Sequence, residues 1–241
     1  MRHGLWLIPG LAFVGACSAS AGGPERGDTR PGQRDFQVGA FQSVELAGSP
    51  DVTVAVGGAP SVRAEGPQDS LDRLEIRVEN GALKIGTRRH GPFSRDYDLG
   101  RVTIHVTAPS LNAASISGSG DMHIDRAEAN TFAASIGGSG DMDIGALRAR
   151  EATFSIAGSG NIRAAGSAER SRVSIAGSGD ATLDRFQTGD AEVSIVGSGG
   201  TRLRASGSVT GSIMGSGDVV VSGTTRCTVS KMGSGDLHCS S

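Results

Sequence analysis

Seven times from residue 118 onward the chain writes Gly-Ser-Gly, and the next residue is Asp121, Asp141, Asn161, Asp180, Gly200, Asp218 and Asp236 in turn. Carboxylates recurring at a fixed interval can do two kinds of chemistry. Stacked a few ångströms apart they repel, unless a cation such as Ca²⁺ lies between them with oxygen ligands. Alternatively each accepts hydrogen bonds from backbone N–H groups of its own turn, as Asp and Asn commonly do. Asn161 keeps the second role but weakens a calcium ladder, and Gly200 serves neither. The calcium nonapeptide places its Asp differently and repeats every nine residues, whereas nothing of the kind begins at Ala127. Asp121, Asp141, Asp180, Asp218 and Asp236 are therefore turn-capping residues first and weak calcium candidates second. No other cofactor or metal site is expected.

Three cysteines offer other chemistry. Cys17 follows an apolar run, Gly4 to Gly15, preceded by Arg2 and His3. That run is too short to span a bilayer and reads as an export leader over residues 1–16. Val14-Gly15-Ala16-Cys17 is similar to the lipobox of bacterial lipoproteins, which makes Cys17 the lipidation site and the membrane a partner through the lipid. Ordinary signal-peptidase cleavage near Ser18 to Ala21 is the alternative. Either way the chain is exported. Cys227 and Cys239 then remain as a pair, which in an exported chain favours a disulfide over two small buried thiols. One further stretch mixes cations with rings: Arg88, Arg89, His90, Phe93, Arg95 and Tyr97 make either a contact loop or a solvated hairpin tip.

The elements that must position these residues follow from the repeat. The first glycines are Gly118, Gly138, Gly158, Gly177, Gly197, Gly215 and Gly233, so the spacings are 20, 20, 19, 20, 18 and 18 by subtraction. Helical-pair repeats need about thirty residues or more and propeller blades about forty. The leucine-rich phrase is missing. One coil of a β-solenoid remains. Two positions before the first glycine stand Ile116, Ile136, Ile156, Ile175, Ile195 and Ile213; three before it stands a serine in every copy, Ser115 to Ser230. This alternation is that of a strand with one buried face. It resumes beyond the corner at Ile124, Ile144, Leu183, Leu203 and Val221. Each coil is thus strand, glycine corner, strand and a longer polar return, and seven coils stack to about 34 Å.

The whole is an all-β chain, a right-handed parallel β-helix of about 18–20 residues per coil, with less regular N-terminal coils over 35–110 and regular ones over 111–240. Gly48-Ser49-Pro50-Asp51 is a worn copy of the corner; a separate small β-domain over the irregular part is the alternative. Residues 17–34, rich in Gly, Pro and small polar side chains, form a flexible tether. Lys231 replaces the inward isoleucine in the last coil and suits an end cap.

Composition narrows function. Glycine is abundant at 38 residues, aromatics are 4% and the formal charge is −2, so the basic footprint of a nucleic-acid binder is missing. Some β-helical proteins process polysaccharides, but that needs clustered carboxylates with a basic residue at a break in the pattern. The ladders here are regular, with no break at which a site would be specialised, and Gly-Ser-Gly-Asp is not a nucleophile elbow. The expectation is a non-enzymatic protein.

Phe41-Gln42-Ser43-Val44-Glu45-Leu46 with Asp51-Val52-Thr53-Val54, then Asn80-Gly81-Ala82-Leu83-Lys84-Ile85, then Val102-Thr103-Ile104 leading to Pro109-Ser110-Leu111, and finally the Ser-x-x-Gly-Ser-Gly-Asp coils, together resemble the bacterial head GIN domain family, labelled auto-transporter adhesins. The likeness covers about residues 38–240. It implies a β-helical, exported, often lipid-anchored envelope protein that contacts a surface glycan or protein, and it brings no catalytic residue. Lys231, Gly200 and Asn161 depart from the pattern.

Overall fold

The computed structural model describes residues 30–88 and 101–241. The leader, Cys17 and most of the tether lie outside the described residues, as do Arg89, His90, Phe93, Arg95 and Tyr97. Residues 31–34, assigned from composition to a tether, belong to strand β1, which runs from Pro31 to Phe36.

From Ala113 onward the chain winds as a β-solenoid. Its strands are β8 (Ala113–Gly118), β9 (Met122–Ile124), β10 (Ala127–Gly138), β11 (Met142–Gly158), β12 (Ile162–Gly177), β13 (Ala181–Gly197), β14 (Thr201–Ala205), β15 (Val209–Gly215), β16 (Val219–Ser222), β17 (Cys227–Gly233) and β18 (Leu237–Ser240). Each coil pairs in parallel with the next, in a register that sets Ile116 on Ile136, Ile156, Ile175, Ile195 and Ile213. All six isoleucines are buried. A parallel sheet with one face so covered owes its stability to this apolar ladder, at about 1.5–3 kcal/mol for each buried aliphatic side chain.

Both corner glycines are required, for different reasons. The first adopts positive φ, +138° at Gly158, where a Cβ is strained. The second is buried, and a Cβ on Gly160 would lie 2.1 Å from the Gly140 carbonyl oxygen of the preceding coil.

The return is paired strand rather than the polar, loop-like segment that its composition suggests. Ala127, Leu147, Gly166 and Phe186 stack in register and, glycine apart, are buried. Phe132, Phe154 and Phe186 also fill the interior, and the rings of Phe154 and Phe186 meet edge to face with centroids 5.4 Å apart. The variation in coil length is absorbed between Ile144 and Leu147, Arg163 and Ala165, and Leu183 and Gln187, where the register shifts. The corners never shift.

The N-terminal part joins the same stack out of chain order. Here lie β2 (Ser43–Gly48), β3 (Asp51–Val56), β4 (Ser61–Pro67), helix α1 (Gln68–Arg73), β5 (Leu74–Glu79), β6 (Ala82–Thr87) and β7 (Thr103–Ala108). β2 pairs in parallel with β8 on one side and β6 on the other. β3 likewise lies between β9 and β7. The coil formed first in sequence is therefore sandwiched between two formed later. Gly48 sits on Gly118 with φ +117°, so the worn corner is a true one. Beyond β6 and β7 the stack ends in antiparallel strands: β5 on β6, β4 on β7 and β1 on β4. The open parallel edge is thereby covered.

The other end closes on β17 and β18. Cys227 and Cys239 form a disulfide across this last coil. Lys231 stands in register on Ile213 and turns its ammonium to the corner, donating to the Gly235 carbonyl at 3.2 Å and Asp236 Oδ1 at 3.0 Å.

Candidate functional site

The aspartate column is built by the corners, but it works between coils. The Asp141 N–H donates to Asp121 Oδ1 at 2.8 Å, the Asn161 N–H to Asp141 Oδ1 at 2.9 Å, the Asp180 N–H to Asn161 Oδ1 at 3.1 Å and the Gly200 N–H to Asp180 Oδ1 at 2.7 Å. The Asp236 N–H donates to Asp218 Oδ1 at 2.9 Å. Each side chain thus serves the turn of the next coil rather than its own, because stacking brings that N–H to the carboxylate. Asn161 also donates its Nδ2 to Asp141 at 2.9 Å, which explains an amide in a carboxylate series. Asp51 starts the column, facing the Asp121 N–H at 3.4 Å. Among the described residues no three His, Cys, Asp or Glu side chains gather where they could hold a metal ion.

The outward positions distinguish the faces. On the face that carries the second strand, the stacked outward residues are Thr53, His123, Asp143, Arg163, Thr182, Arg202, Val220 and His238, with no rule among them. On the face before the corner the rule is strict. Ser115, Ser135, Ser155, Ser174, Ser194, Ser212 and Ser230 stack in register down its middle. Their hydroxyls make no side-chain hydrogen bond to other described residues. Beside them, on the corner side, Ala157, Ala176, Val196, Met214 and Met232 form a second column that grows more apolar toward the C-terminal end; Met232 is 70% exposed.

On the opposite side of the serines the face falls into a groove of about 310 Å³. Two rows of side chains border it, one residue per coil: Glu151, Arg170, Asp190 and Ser208 on one side, and Thr153, Arg172, Glu192 and Thr210 on the other. Ala152, Ser171 and Ala191, small and buried, form the floor between them. The charges are paired across coils. Arg172 grips both oxygens of Glu192, Nη1 to Oε1 at 2.7 Å and Nη2 to Oε2 at 2.6 Å. Arg170 donates Nη2 to Glu151 Oε1 at 2.6 Å. Asp190 Oδ1 accepts from the Ser208 N–H at 2.7 Å and the Ser208 hydroxyl at 2.8 Å. The backbone hydrogen bond from Ser208, followed by that from its hydroxyl, holds the Asp190 carboxyl below its ordinary range. A hydrogen bond from Lys231, with its charge, does the same for Asp236.

At the N-terminal end of the serine face, β5 forms the sheet edge beside β6. A trough of about 600 Å³ lies against it, with Glu45, Glu75, Arg77 and Lys84 among its lining residues. Lys84 bonds Glu79 at 3.1 Å, and Arg77 reaches both Glu75 and Glu79.

The residue-by-residue expectations divide into those the structure places and those outside the described residues. The aspartates and the cysteine pair stand at the corners and in the last coil. Of the contact loop only Arg88 is described, its N–H donating to the Arg73 carbonyl at 2.9 Å. Sequence reasoning misses the groove residues, although stacking the outward positions five and seven places before each corner sets their opposite charges side by side.

A family model described as "Putative auto-transporter adhesin, head GIN domain" matches residues 40–225. Among solved structures, a putative adhesin from Bacteroides fragilis superposes with a TM-score of 0.79 at 21% identity, over 87% of this chain and 97% of that one. A putative lipid binding protein from Parabacteroides distasonis gives 0.70 at 23% identity, over 88% and 98%. A putative adhesin from Parabacteroides merdae gives 0.68 at 16%, over 88% and 97%. At these identities the likeness establishes a shared fold. No curated protein matches the chain.

Proposed function

Because the chain belongs to the head GIN domain family, matched over residues 40–225, we propose that it is an exported, non-enzymatic scaffold of the cell envelope, held by a lipid on Cys17, that makes contacts through its serine face. The observation that carries this reading is the constancy of the seven serines. An outward position in a solenoid is free to vary without cost to the core, as the neighbouring face does. Here it does not, and the hydroxyls are left unbonded among the described residues. Two structural relatives, each named a putative adhesin, point the same way. Two features support a passive scaffold: the carboxylates of the corner column are engaged by backbone N–H groups, and those of the groove by arginines and Ser208.

The anchor suits the geometry, since the first described strand, β1, lies at the far end of the stack from the disulfide-closed coil. Mass spectrometry of the mature N-terminus should find a diacylated cysteine at position 17; a free N-terminus near residue 21 would overturn the anchor. The contact face is tested by capture of intact bacterial envelopes on immobilised full-length chain. Ser155→Arg and Ser174→Arg, which place bulk at the centre of the face, should abolish capture, while Thr182→Arg on the neighbouring face should leave it unchanged. Equal capture by all three variants places the contact elsewhere.

A further inference from the structure

We propose that the groove beside the serine face binds an uncharged, polyhydroxylated glycan chain lying along the solenoid axis. This rests on the reading of that face as the contact surface and names the partner class.

Three observations lead to it. The first is the order of the groove: Glu151, Arg170, Asp190 and Ser208 face Thr153, Arg172, Glu192 and Thr210 across a floor of small residues, one polar group per coil in each row. Coils are about 4.8 Å apart, so the rows form a ruled track suited to an extended ligand with a short repeat. At about 310 Å³ the space is at the small end of ligand sites, enough for a short stretch of such a chain.

The second is charge. The groove holds three carboxylates, Glu151, Asp190 and Glu192, against two guanidiniums, and Arg226 adds a third cation whose field reaches Asp190. Glu169, whose field reaches Arg170, adds a fourth carboxylate, so the two signs are close to balance, and each lining carboxylate already has its donor. An anionic ligand that took the remaining donors of Arg172 or Arg170 would lie beside the like-charged Glu192 or Glu151, and a cation that took the carboxylates' remaining lone pairs would lie beside the guanidiniums.

The third is capacity. Arg172 spends Nη1 and Nη2 on Glu192 and keeps Nε–H; Arg170 spends Nε and Nη2 on Glu151 and keeps Nη1. Carboxylate oxygens retain further lone pairs, as at Asp190, where Ser208 occupies Oδ1 alone. A hydroxyl is the group that uses both remainders, accepting from the guanidinium while donating to the carboxylate, without breaking either pair. Rows of such donor-and-acceptor partners match the diols of a sugar chain, with the serine and threonine hydroxyls alongside.

The test measures binding of the full-length chain to soluble neutral polysaccharides (dextran, a mixed-linkage β-glucan, mannan and arabinoxylan), with polygalacturonate and heparin as acidic controls. It adds capture of bacterial envelopes before and after periodate, which cleaves vicinal diols, or protease. The expected result is binding of a neutral polymer, or periodate-sensitive capture, that changes less than about twofold between low and high salt. Glu192→Gln and Arg172→Met should each weaken it about tenfold, the loss of one charge-assisted hydrogen bond. Thr153→Arg, which fills the groove and leaves both pairs in place, should abolish it. Because exposed ion pairs contribute little to stability, these variants should melt with the parent. Binding confined to the acidic polymers, or unchanged in all three groove variants, overturns the proposal. If Ser155→Arg abolishes a capture that resists periodate and is lost to protease, the contact face stands and the glycan falls. If neither Ser155→Arg nor the groove variants alter binding, or if neither a neutral polymer nor an envelope is bound, both readings fall.

Discussion

Gly160 and Gly137 stand on neighbouring coils and answer to opposite constraints. A Cβ on Gly160 meets a backbone oxygen at 2.1 Å, whereas one on Gly137 comes no closer than 3.7 Å to anything. Gly160→Ala should therefore lower stability by more than about 2 kcal/mol, and Gly137→Ala should leave the melting temperature within about a degree or two. Ile156→Ala, in the middle of the buried ladder, should cost about 2–5 kcal/mol. The corner aspartates are tied to N–H groups of adjacent coils, so their stabilising role needs no cation: melting with and without a calcium chelator should give the same midpoint. A midpoint that drops on chelation would restore the calcium ladder. These single-residue demands are mostly legible in the sequence, because a seven-fold repeat presents each requirement seven times. The direction of the aspartate bonds is not, since a carboxylate's own turn and the turn of the next coil are told apart only by stacking distance.

The terminal coil is the element whose stability can be set from outside. Its disulfide joins Cys227 to Cys239, twelve residues apart, and its corner is held by Lys231 and Asp236. Reduction, or Cys227→Ser, should cost up to about 3 kcal/mol by the loop-entropy account. It should be seen first as faster amide exchange over residues 227–240, with the coils of β10 to β13 still protected. Acid should act at the same place. The folded Asp236 carboxyl titrates below its unfolded value, so its contribution is full above the unfolded pKa, about 4, and is lost as pH falls through the lower folded one. Protection over the last coil, taken relative to the intrinsic exchange rate at each pH, should fall as the pH is taken below about 4, and Lys231→Met should remove most of that dependence. Coil architecture is legible in the sequence only where a corner motif marks each winding, from Gly118 onward. In residues 43–108 a single worn corner, Gly48 to Asp51, sets no period, and nothing local signals that β6 pairs beneath β2. The long returns read as loops because their inward residues, Phe132, Leu147 and Phe186, are spaced too widely to show strand alternation.

Taken as one body, the molecule is a stack with a covered antiparallel end, a stapled end, and one face ruled in serine. The proposed anchor at the covered end turns the apolar column of Val196, Met214 and Met232 outward. Met214→Glu with Met232→Glu should leave melting unchanged and reduce envelope capture if that column adds to the contact; unchanged capture would confine the contact to serines and groove. The stacking order carries a last consequence, for biogenesis. β2 finds its partners 39 and 70 residues downstream, from Ser43 to Ala82 and to Ala113. On the proposed export route, a polypeptide leaving a translocon amino end first therefore cannot wind up from its leading segment. β2 must wait for Ile85 before it gains its first parallel partner, and for Gly118 before its coil is covered on the other side; later windings can then zip on one by one, each upon a finished template. Holdase chaperones that guard emerging chains would meet their longest task in the first half of this one.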